Sequence, residues 1–225
     1  MRLRQYKMIR FYVLFVLIFL GISSAASAKV KPYVEPGFYF AIDVPYNTIS
    51  GDFDGEKVLA SSDGEVVAVP KIDNNYGFGG LVGYRNFPYS FELDFLFSEH
   101  NATWLNSDFK VNYSLVDFNM KVHFFEHSVT QPFLLFGLCF PELVIKEGSS
   151  INSDIGDVAF TTGAGLNIGA GISYYFLPKV AVNGGVVYRI IKYDSAEGIS
   201  GEKKSITNGL GGSGLGFDIG VMFVF

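Results

Sequence analysis

The feature that most constrains this chain is an alternation of apolar and polar residues with a period of two, which recurs in eight segments. A period of two places successive side chains on opposite faces of a β-strand. Residues 91–97 read Phe-Glu-Leu-Asp-Phe-Leu-Phe, and residues 215–225 alternate in the same way. The pattern therefore predicts an all-β protein whose strands each carry one apolar face.

The eight predicted strands are separated by connections of alternating length. The strands cover 38–44, 76–85, 91–97, 111–124, 133–145, 160–176, 180–192 and 215–225. The first and third connections have about thirty and about a dozen residues, and 146–157 and 195–214 are also long and polar. The remaining connections, 86–89, 126–131 and 177–179, are tight. This alternation predicts a closed antiparallel up-and-down transmembrane β-barrel of eight strands, with loops at one end and turns at the other.

Three segments depart from the simple pattern. In the first long connection, apolar residues 57–60 and 65–69 flank Ser-Asp-Gly, which predicts a hairpin and an extension of the first two strands. The alternation of the fourth strand switches near Leu115, which predicts either a bulge or the end of the membrane there. The fifth strand, 133–145, is apolar on both faces and has no clean alternation.

The N-terminal segment indicates export. Residues 1–10 contain four basic residues and no acid, residues 11–22 are apolar, and Ala26-Ser27-Ala28 matches a cleavage site. We therefore expect a signal peptide at 1–28 and a barrel domain at 29–225. Without the four basic residues the chain keeps 13 basic and 22 acidic residues, a net charge of −9. This charge argues against a nucleic-acid partner.

The polar faces of the strands decide between a membrane barrel and a soluble barrel of lipocalin shape. They carry glycines and a mixture of acids and bases that can pair inside a narrow lumen. We predict that this lumen network, which has a structural role, contains Asp43, Arg85, Glu92, Asp94, Asp117, Lys121, His123, Arg189 and Asp218. Aromatic residues also gather near the strand ends, as in the girdles of membrane barrels.

The last strand carries a family resemblance. Its alternating apolar residues resemble the C-terminal assembly signal of bacterial outer-membrane proteins, and they are Phe217, Ile219, Val221, Phe223 and Phe225. With the glycine-rich segments 163–175 and 182–189, the chain resembles the eight-stranded outer-membrane barrel family of the OmpA membrane domain, OmpX and opacity proteins. The resemblance implies a Gram-negative outer membrane with lipopolysaccharide around the barrel, periplasmic termini, extracellular loops and contact with the barrel-assembly machinery.

No motif of the sequence supports a catalytic site, a cofactor site or a metal site. Ser98, Glu99 and His100 echo a hydrolase, but adjacent strand residues point to opposite faces, so we expect a solvated rim histidine. The segment 209–214 matches G-x-G-x-x-G, yet it precedes a strand and is predicted to be a flexible loop. The acidic segment 52–56 lacks a full set of calcium ligands.

Three functions are compatible with these observations. The first is a non-enzymatic barrel whose loops contact a host or another cell surface, or which has a structural role. The second is a small narrow pore, which a lumen filled with side chains disfavours. The third is a lipid-modifying enzyme of the outer membrane. Members of the resembled family include adhesins, structural anchors and a few such enzymes, so the resemblance does not choose among them.

Overall fold

A computed structural model describes residues 32–60, 66–145, 158–161, 164–198 and 203–225 of the chain. The predicted signal peptide, 1–28, lies outside the described residues. The described chain is almost entirely β-structure, with one short 3-10 helix, η1, at Gly51–Phe53. Its strands are β1 (Gly37–Asn47), β2 (Lys57–Ala60), β3 (Val66–Val69), β4 (Lys71–Ile72), β5 (Asn75–Asn86), β6 (Tyr89–Trp104), β7 (Ser107–His123), β8 (Thr130–Ile145), β9 (Val158–Thr161), β10 (Gly165–Leu177), β11 (Val180–Ile190), β12 (Lys192–Gly198), β13 (Lys203–Gly211) and β14 (Gly214–Val224).

Eight of these strands close into an antiparallel barrel. The order around the barrel is β1, β5, β6, β7, β8, β10, β11 and β14, and β14 pairs with β1. Pairing between β8 and β10 completes the closure on the other side. The predicted fold and the strand number are thus confirmed, and the fifth predicted strand is β8. Closure leaves the barrel strands without free edges.

The third connection differs from its prediction. A loop of about a dozen residues was expected, but β6 and β7 stay paired from Tyr89–Val122 to Trp104–Ser107. Only Leu105 and Asn106 form the turn, with φ of 47° and 64°. Positive φ at both central residues is typical of a type I′ turn, which suits the twist of a hairpin. The sequence prediction was wrong here because the turn contains no glycine.

Two further strands have other bounds than predicted. The seventh, predicted at 180–192, is β11 and ends at Ile190. The sixth was predicted at 160–176, but β10 begins at Gly165, and Phe160 belongs to β9. The prediction of a polar loop at 195–214 was wrong too, because most of its described residues belong to β12 and β13, which pair with each other. The glycine-rich 209–214 segment is therefore the end of β13 and the start of β14 rather than a flexible loop. Residues 146–157 of the fifth connection lie outside the described residues.

The first connection contains the predicted hairpin, although not as an extension of the first two barrel strands. Strands β2 and β3 pair as a separate two-stranded sheet, while β1 ends at Asn47 and β5 begins at Asn75. The residues between β2 and β3, 61–65, lie outside the described residues. Strand β4 pairs with the far end of β6 through Lys71–Thr103 and Ile72–Ala102. The first connection thus adds new strands instead of lengthening old ones.

The outer surface of the barrel is apolar over a band and polar beyond it. Exposed apolar side chains on the eight barrel strands include Phe38, Phe78, Phe95, Phe118, Phe136, Ile168, Val186 and Ile219. On β6, β7 and β8 the outward residues become polar at Glu99, Ser114 and Glu142. Ser114 Oγ donates a hydrogen bond to Glu142 Oε2 over 3.3 Å at this border.

The interior changes polarity at the same height. The inward side of β7 carries Asp117 and Lys121 below the border, and Leu115, Tyr113 and Val111 above it. Strand β7 pairs with β8 without a register shift across this point, so Leu115 does not mark a bulge. The alternation of inward and outward residues continues unchanged through Leu115. Beyond it the outward residues are polar and the inward residues are apolar. A barrel that is apolar outside and polar inside therefore continues as strands that are polar outside and apolar inside.

We call the second part the extension. It consists of the ends of β6, β7 and β8 beyond Phe97, Val116 and Phe140, together with η1, β2–β4, β9, β12 and β13. Its buried core includes Phe53, Val111, Tyr113, Leu115, Leu143, Ile145, Phe160, Tyr193 and Leu210. The opposite end of the barrel, with the short turns at 87–88, 124–129 and 178–179, is called the turn end.

Candidate functional site in the barrel lumen

The polar residues predicted for the lumen lie on the inner face of the barrel. Six are buried, namely Arg85, Glu92, Asp117, Lys121, His123 and Arg189. Asp43, Asp94 and Asp218 are half-buried and line a central cavity. They share the inner face because each occupies an inward position of a strand whose neighbours in sequence point outward.

The first ion pair joins β6 and β7. Lys121 Nζ lies 2.8 Å from Glu92 Oε2, and both side chains are almost fully buried. Tyr39 donates its hydroxyl hydrogen to Glu92 Oε1 over 2.6 Å. The ammonium group of Lys121 also lies 4.5 Å from the centre of the Phe133 ring. The Glu92 carboxylate therefore has a charged partner and a neutral donor, which offset the cost of burying it.

The second ion pair spans the lumen closer to the extension. Arg189 Nη2 of β11 donates to Asp117 Oδ2 of β7 over 3.0 Å. Strands β7 and β11 are not neighbours in the sheet, so this bond crosses the barrel. Asn119 joins the same level, because its Nδ2 donates to Asp94 Oδ2 over 2.7 Å. Asn167 Nδ2 in turn donates to Asn119 Oδ1 over 3.1 Å.

The turn end is closed by a separate group centred on Arg85. Its guanidinium donates to the Tyr175 hydroxyl over 2.6 Å and to Gln131 Oε1. Tyr33, which precedes β1, packs edge-on against the Tyr175 ring at 6.3 Å, and its backbone N–H donates to the carbonyl of Glu126. The segment before β1 thus lies across this end of the lumen.

His123 is buried beside this group and has a hydroxyl partner. Its Nε2 lies 2.8 Å from Ser90 Oγ, and its ring is tilted against the Phe133 ring at 5.7 Å. Sequence reasoning did not select Ser90, Tyr39, Tyr175 or Gln131 as part of the network. Their inward position on the strands was the available signal, but they carry no formal charge.

A cavity of about 50 Å³ lies between the turn end and the extension. Asp43, Asp94, Asn183 and Asp218 are among the residues that line it. A polar cavity of this size has room for several waters. Above it the apolar core of the extension fills the interior, so the cavity is closed by side chains at both ends.

Ser98 and His100 are closer to a catalytic arrangement than the sequence suggested. Both point to the same face because they are two residues apart, and Ser98 Oγ lies 2.8 Å from His100 Nε2. His100 Nδ1 lies 2.8 Å from the carbonyl of Asp73, so a proton on Nδ1 leaves Nε2 to accept from Ser98. Burial lowers the pKa of His100 and favours its neutral form. The prediction of a solvated rim histidine was wrong, since His100 is fully buried.

The arrangement nevertheless has no room for a substrate. His100 has no exposed surface and packs edge-on against the Tyr113 ring at 5.9 Å. Glu99 points outward and forms an exposed ion pair with Lys110 at 3.3 Å, so it cannot orient the imidazole. A serine nucleophile also needs an accessible acyl group and a second set of donors for the oxyanion. The hydrogen bonds of His100 instead fasten Asp73 to β6.

The acidic segment 52–56 fastens the first connection to the rest of the extension. Asp52 accepts hydrogen bonds from Lys57 Nζ over 2.9 Å and from the backbone N–H of Gly211 over 2.8 Å. These donors lower the pKa of Asp52. Glu56 Oε1 accepts from the backbone N–H of Leu105 over 2.9 Å. The carboxylates therefore serve as loop anchors rather than as calcium ligands.

The described residues also bear on metal binding and on membrane-spanning helices. Within the described ranges, no group of three or more His, Cys, Asp and Glu side chains is arranged to hold a metal ion. Over the same residues, no helix has the length and apolar character needed to span a bilayer. Cys139 is a free, buried thiol inside the barrel.

The closed barrel, its apolar outer band and its charged lumen define a membrane-spanning β-barrel. The sequence profile of the outer membrane protein beta-barrel domain matches residues 14–225, and the chain belongs to this family. The band is therefore the surface that faces the lipid of a bacterial outer membrane. No curated protein matches the sequence.

Solved outer-membrane proteins share the fold. OprG from Pseudomonas aeruginosa superposes with a TM-score of 0.61 and 16% identity, over 87% of this chain and 99% of that chain. The neisserial surface protein NspA gives 0.52 and 20%, over 84% and 97%. A major outer membrane protein from Thermus thermophilus gives 0.52 and 11%, over 84% and 99%. At these identities the likeness shows the fold alone.

We expect a charge on the lipid face to destabilise the barrel. Ile168 is half exposed on the outer surface of β10, so Ile168→Arg should cost roughly 2–4 kcal/mol if it lies near the bilayer midplane. The cost can be measured by urea unfolding in lipid vesicles. Asn101→Arg, on the outward polar face of β6 in the extension, is the control and should change the free energy of unfolding by less than about 0.5 kcal/mol. Equal costs for both variants would contradict this placement of the band.

Proposed function

We propose that the protein is a non-conducting, non-enzymatic surface barrel whose extension contacts a host or another cell. The observation that carries the proposal is the packed core of the extension. Phe53 lies against the rings of Phe160 and Tyr193 with centroid distances of 6.2 and 5.7 Å, and all three side chains are fully buried. Such a core holds the described parts of the connections together, as a binding surface on a rigid scaffold requires.

The proposed orientation of the barrel in the membrane follows from the difference between the extension and the turn end. The extension is polar outside and apolar inside, so it is suited to water, and the short turns leave little protein at the other end. In outer-membrane barrels the long connections are extracellular and the short turns periplasmic. We therefore place the extension outside the cell and the turn end in the periplasm, with lipopolysaccharide around the outer half of the apolar band.

The pore alternative is disfavoured by two closures of the lumen. Arg85 and Tyr175 close the turn end, and the apolar core beginning at Leu115 closes the other. Between them, the Arg189–Asp117 ion pair crosses the lumen, and the Lys121–Glu92 pair lies along its wall between β6 and β7. An eight-stranded barrel has an interior that side chains can fill, and this one is filled along most of its length.

We predict that the purified protein gives no channel conductance in a planar bilayer. Both closures consist of buried groups with partners, so an ion would have to displace them to pass. The measurement is single-channel current at increasing voltage, with a general porin as the positive control. Repeated unitary steps from the folded protein would contradict the proposal and favour the narrow pore.

The proposed surface role is tested by two matched variants at opposite ends of the barrel. Leu105 at the tip of the β6–β7 hairpin and Phe125 at the turn end are both 69% exposed, and both have positive φ. Glycine tolerates this backbone conformation, so Leu105→Gly and Phe125→Gly should both fold. If the hairpin tip touches the partner, Leu105→Gly should lower adhesion about tenfold, because burying a leucine side chain contributes roughly 1.5–3 kcal/mol and about 1.4 kcal/mol is tenfold in affinity.

The measurement is adhesion to epithelial monolayers of a deletion strain that expresses the wild type or one variant. Surface amounts are matched with an antibody to an epitope tag. Phe125→Gly should adhere like the wild type. Adhesion that is unchanged by deletion of the protein would contradict the proposal, and equal loss in both variants would show that the effect does not come from the extension.

The lipid-modifying alternative has the Ser98–His100 hydrogen bond in its favour and the burial of His100 against it. It differs from the proposed function in a direct way, because only an enzyme alters the lipids around it. Lipid A or phospholipid that changes on overexpression, but not with Ser98→Ala, would replace the proposal with an acyl hydrolase.

A further inference from the structure

We propose that the lumen binds one divalent metal cation, held by the carboxylates of Asp43 and Asp218 and by the side-chain oxygen of Asn183. All three residues line the central cavity. The proposal does not depend on what the extension contacts, because it concerns the part of the barrel inside the membrane.

The inward acids of the lumen outnumber the inward bases. Glu92 is paired with Lys121 and Asp117 with Arg189, so both bases near the cavity are already engaged. The third inward base, Arg85, lies at the turn end and bonds to Tyr175 and Gln131. Five inward acids thus face three inward bases, and the excess negative charge is concentrated around the cavity.

Asp43, Asp94 and Asp218 have no cationic partner, and Asp43 and Asp218 also lack a neutral side-chain donor. No side chain of another described residue forms a hydrogen bond or an ion pair with either carboxylate, whereas Asp94 accepts from Asn119. An unpaired carboxylate in this lumen is costly, because it contacts only the few waters that the cavity can hold. A bound cation would supply the missing charge once both carboxylates turn towards it, with no change in the strands.

The three groups lie on adjacent strands of the barrel. Asp43 of β1 is directly opposite Gly220 of β14, and Gly220 is directly opposite Asn183 of β11. Asp218 lies two residues from Gly220 on the same inner face. Because diagonal neighbours in a sheet are about 7–8 Å apart, all three side chains can reach one point above Gly220.

An unpartnered amide also points to a ligand. Asn183 is 6% exposed, and its Oδ1 has no hydrogen-bond partner among the described residues. The side-chain oxygens of Asn47 and Asn167 also lack a partner, but Asn183 is the one whose strand position is directly opposite Gly220. An oxygen acceptor beside two carboxylates is the ligand set that a hard cation prefers.

Glycines provide the space for such an ion. The Asp43 carboxylate lies over Gly79, where a Cβ would come within 2.5 Å of Oδ2, and the Asp218 carboxylate lies over Gly185. The two like charges therefore lean away from each other, and Gly220 between them has no side chain. A divalent ion would balance both carboxylates, while a monovalent ion would leave one negative charge buried. Calcium accepts carboxylates, amide oxygens and waters together, so it is the suitable probe.

The test is equilibrium dialysis of the full folded protein in detergent against radioactive calcium in excess NaCl. We expect about one calcium per wild-type chain, and a loss of at least tenfold in affinity for both Asp43→Asn and Asp218→Asn. Asp73→Asn is the matched control, because Asp73 is an exposed carboxylate of the extension, and it should bind like the wild type. The heat-dependent shift on SDS gels establishes that each variant is folded.

Two results would overturn the proposal. One is a wild-type chain that binds no calcium above the level of Asp43→Asn, which would mean that waters or protons satisfy the two carboxylates. The other is a loss of binding in Asp73→Asn with retention in both lumen variants, which would move the site to the extension. A second measurement needs no variant: calcium should raise the thermal midpoint of the wild type relative to chelator, and no shift at saturating calcium would also overturn it.

Discussion

Lys121→Met should lower the free energy of unfolding by about 3–5 kcal/mol, because it leaves the Glu92 carboxylate buried without its cation. The Lys121 side chain is 8% exposed and that of Glu92 is 2% exposed, so solvent cannot replace the lost partner. Tyr39 would still donate to Glu92, but a neutral donor does not balance the charge. Methionine keeps most of the volume and the contact with Phe133, so the loss reports the charge.

The measurement is urea unfolding in lipid vesicles, followed by the heat-dependent gel shift, because Trp104, the single tryptophan of the chain, lies in the extension and does not report the lumen. The double variant with Glu92→Gln should recover most of the loss, since the uncompensated charge is then removed. The matched control is Lys110→Met, which breaks the exposed pair with Glu99 and should cost about 0–1 kcal/mol. If Lys110→Met cost as much as Lys121→Met, burial would not be what makes the lumen pair strong.

The sequence could predict on which side of its strand each lumen residue lies, but not its hydrogen-bond or ion-pair partner. Strand parity is a local property, and it placed Asp117 and Arg189 on the inner face. Their ion pair joins strands that are separated by two others around the barrel, so it depends on the closed shape. Arg85 illustrates the same limit, because the mixed charges suggested an acidic partner and the structure gives it Tyr175 and Gln131 instead.

The extension could not be predicted because its polarity is the reverse of that of the membrane part. The polar composition of 195–214 predicted a loop, although Ser195 and Ala196 are buried in β12. The apparent change of phase at Leu115 had two explanations in the sequence, a bulge or the end of the membrane. The unbroken β7–β8 register removes the bulge, and the polar outward residues beyond Val116 mark the end of the lipid-facing band.

The reversal of polarity also predicts that a destabilising substitution in the extension leaves the membrane part of the barrel folded. Phe53→Ala should destabilise the extension by about 3–5 kcal/mol, because Phe53 is fully buried between Phe160 and Tyr193 and its loss leaves a cavity. The membrane part makes its own contacts through closed strand pairing and lumen ion pairs, so it should stay folded. Local opening of this kind is typical of segments that have separate cores.

Limited proteolysis of whole cells measures the extension, and the heat-dependent gel shift measures the membrane part. We expect Phe53→Ala to be cleaved faster by trypsin at sites in the extension, with the gel shift preserved. Phe124→Ala is the matched control, since Phe124 is exposed at the turn end and its loss opens no cavity. If Phe53→Ala lost both the gel shift and protease resistance, the core of the extension and the ion pairs of the lumen would form one cooperative unit. The extension could then not vary in sequence independently of the membrane part of the barrel.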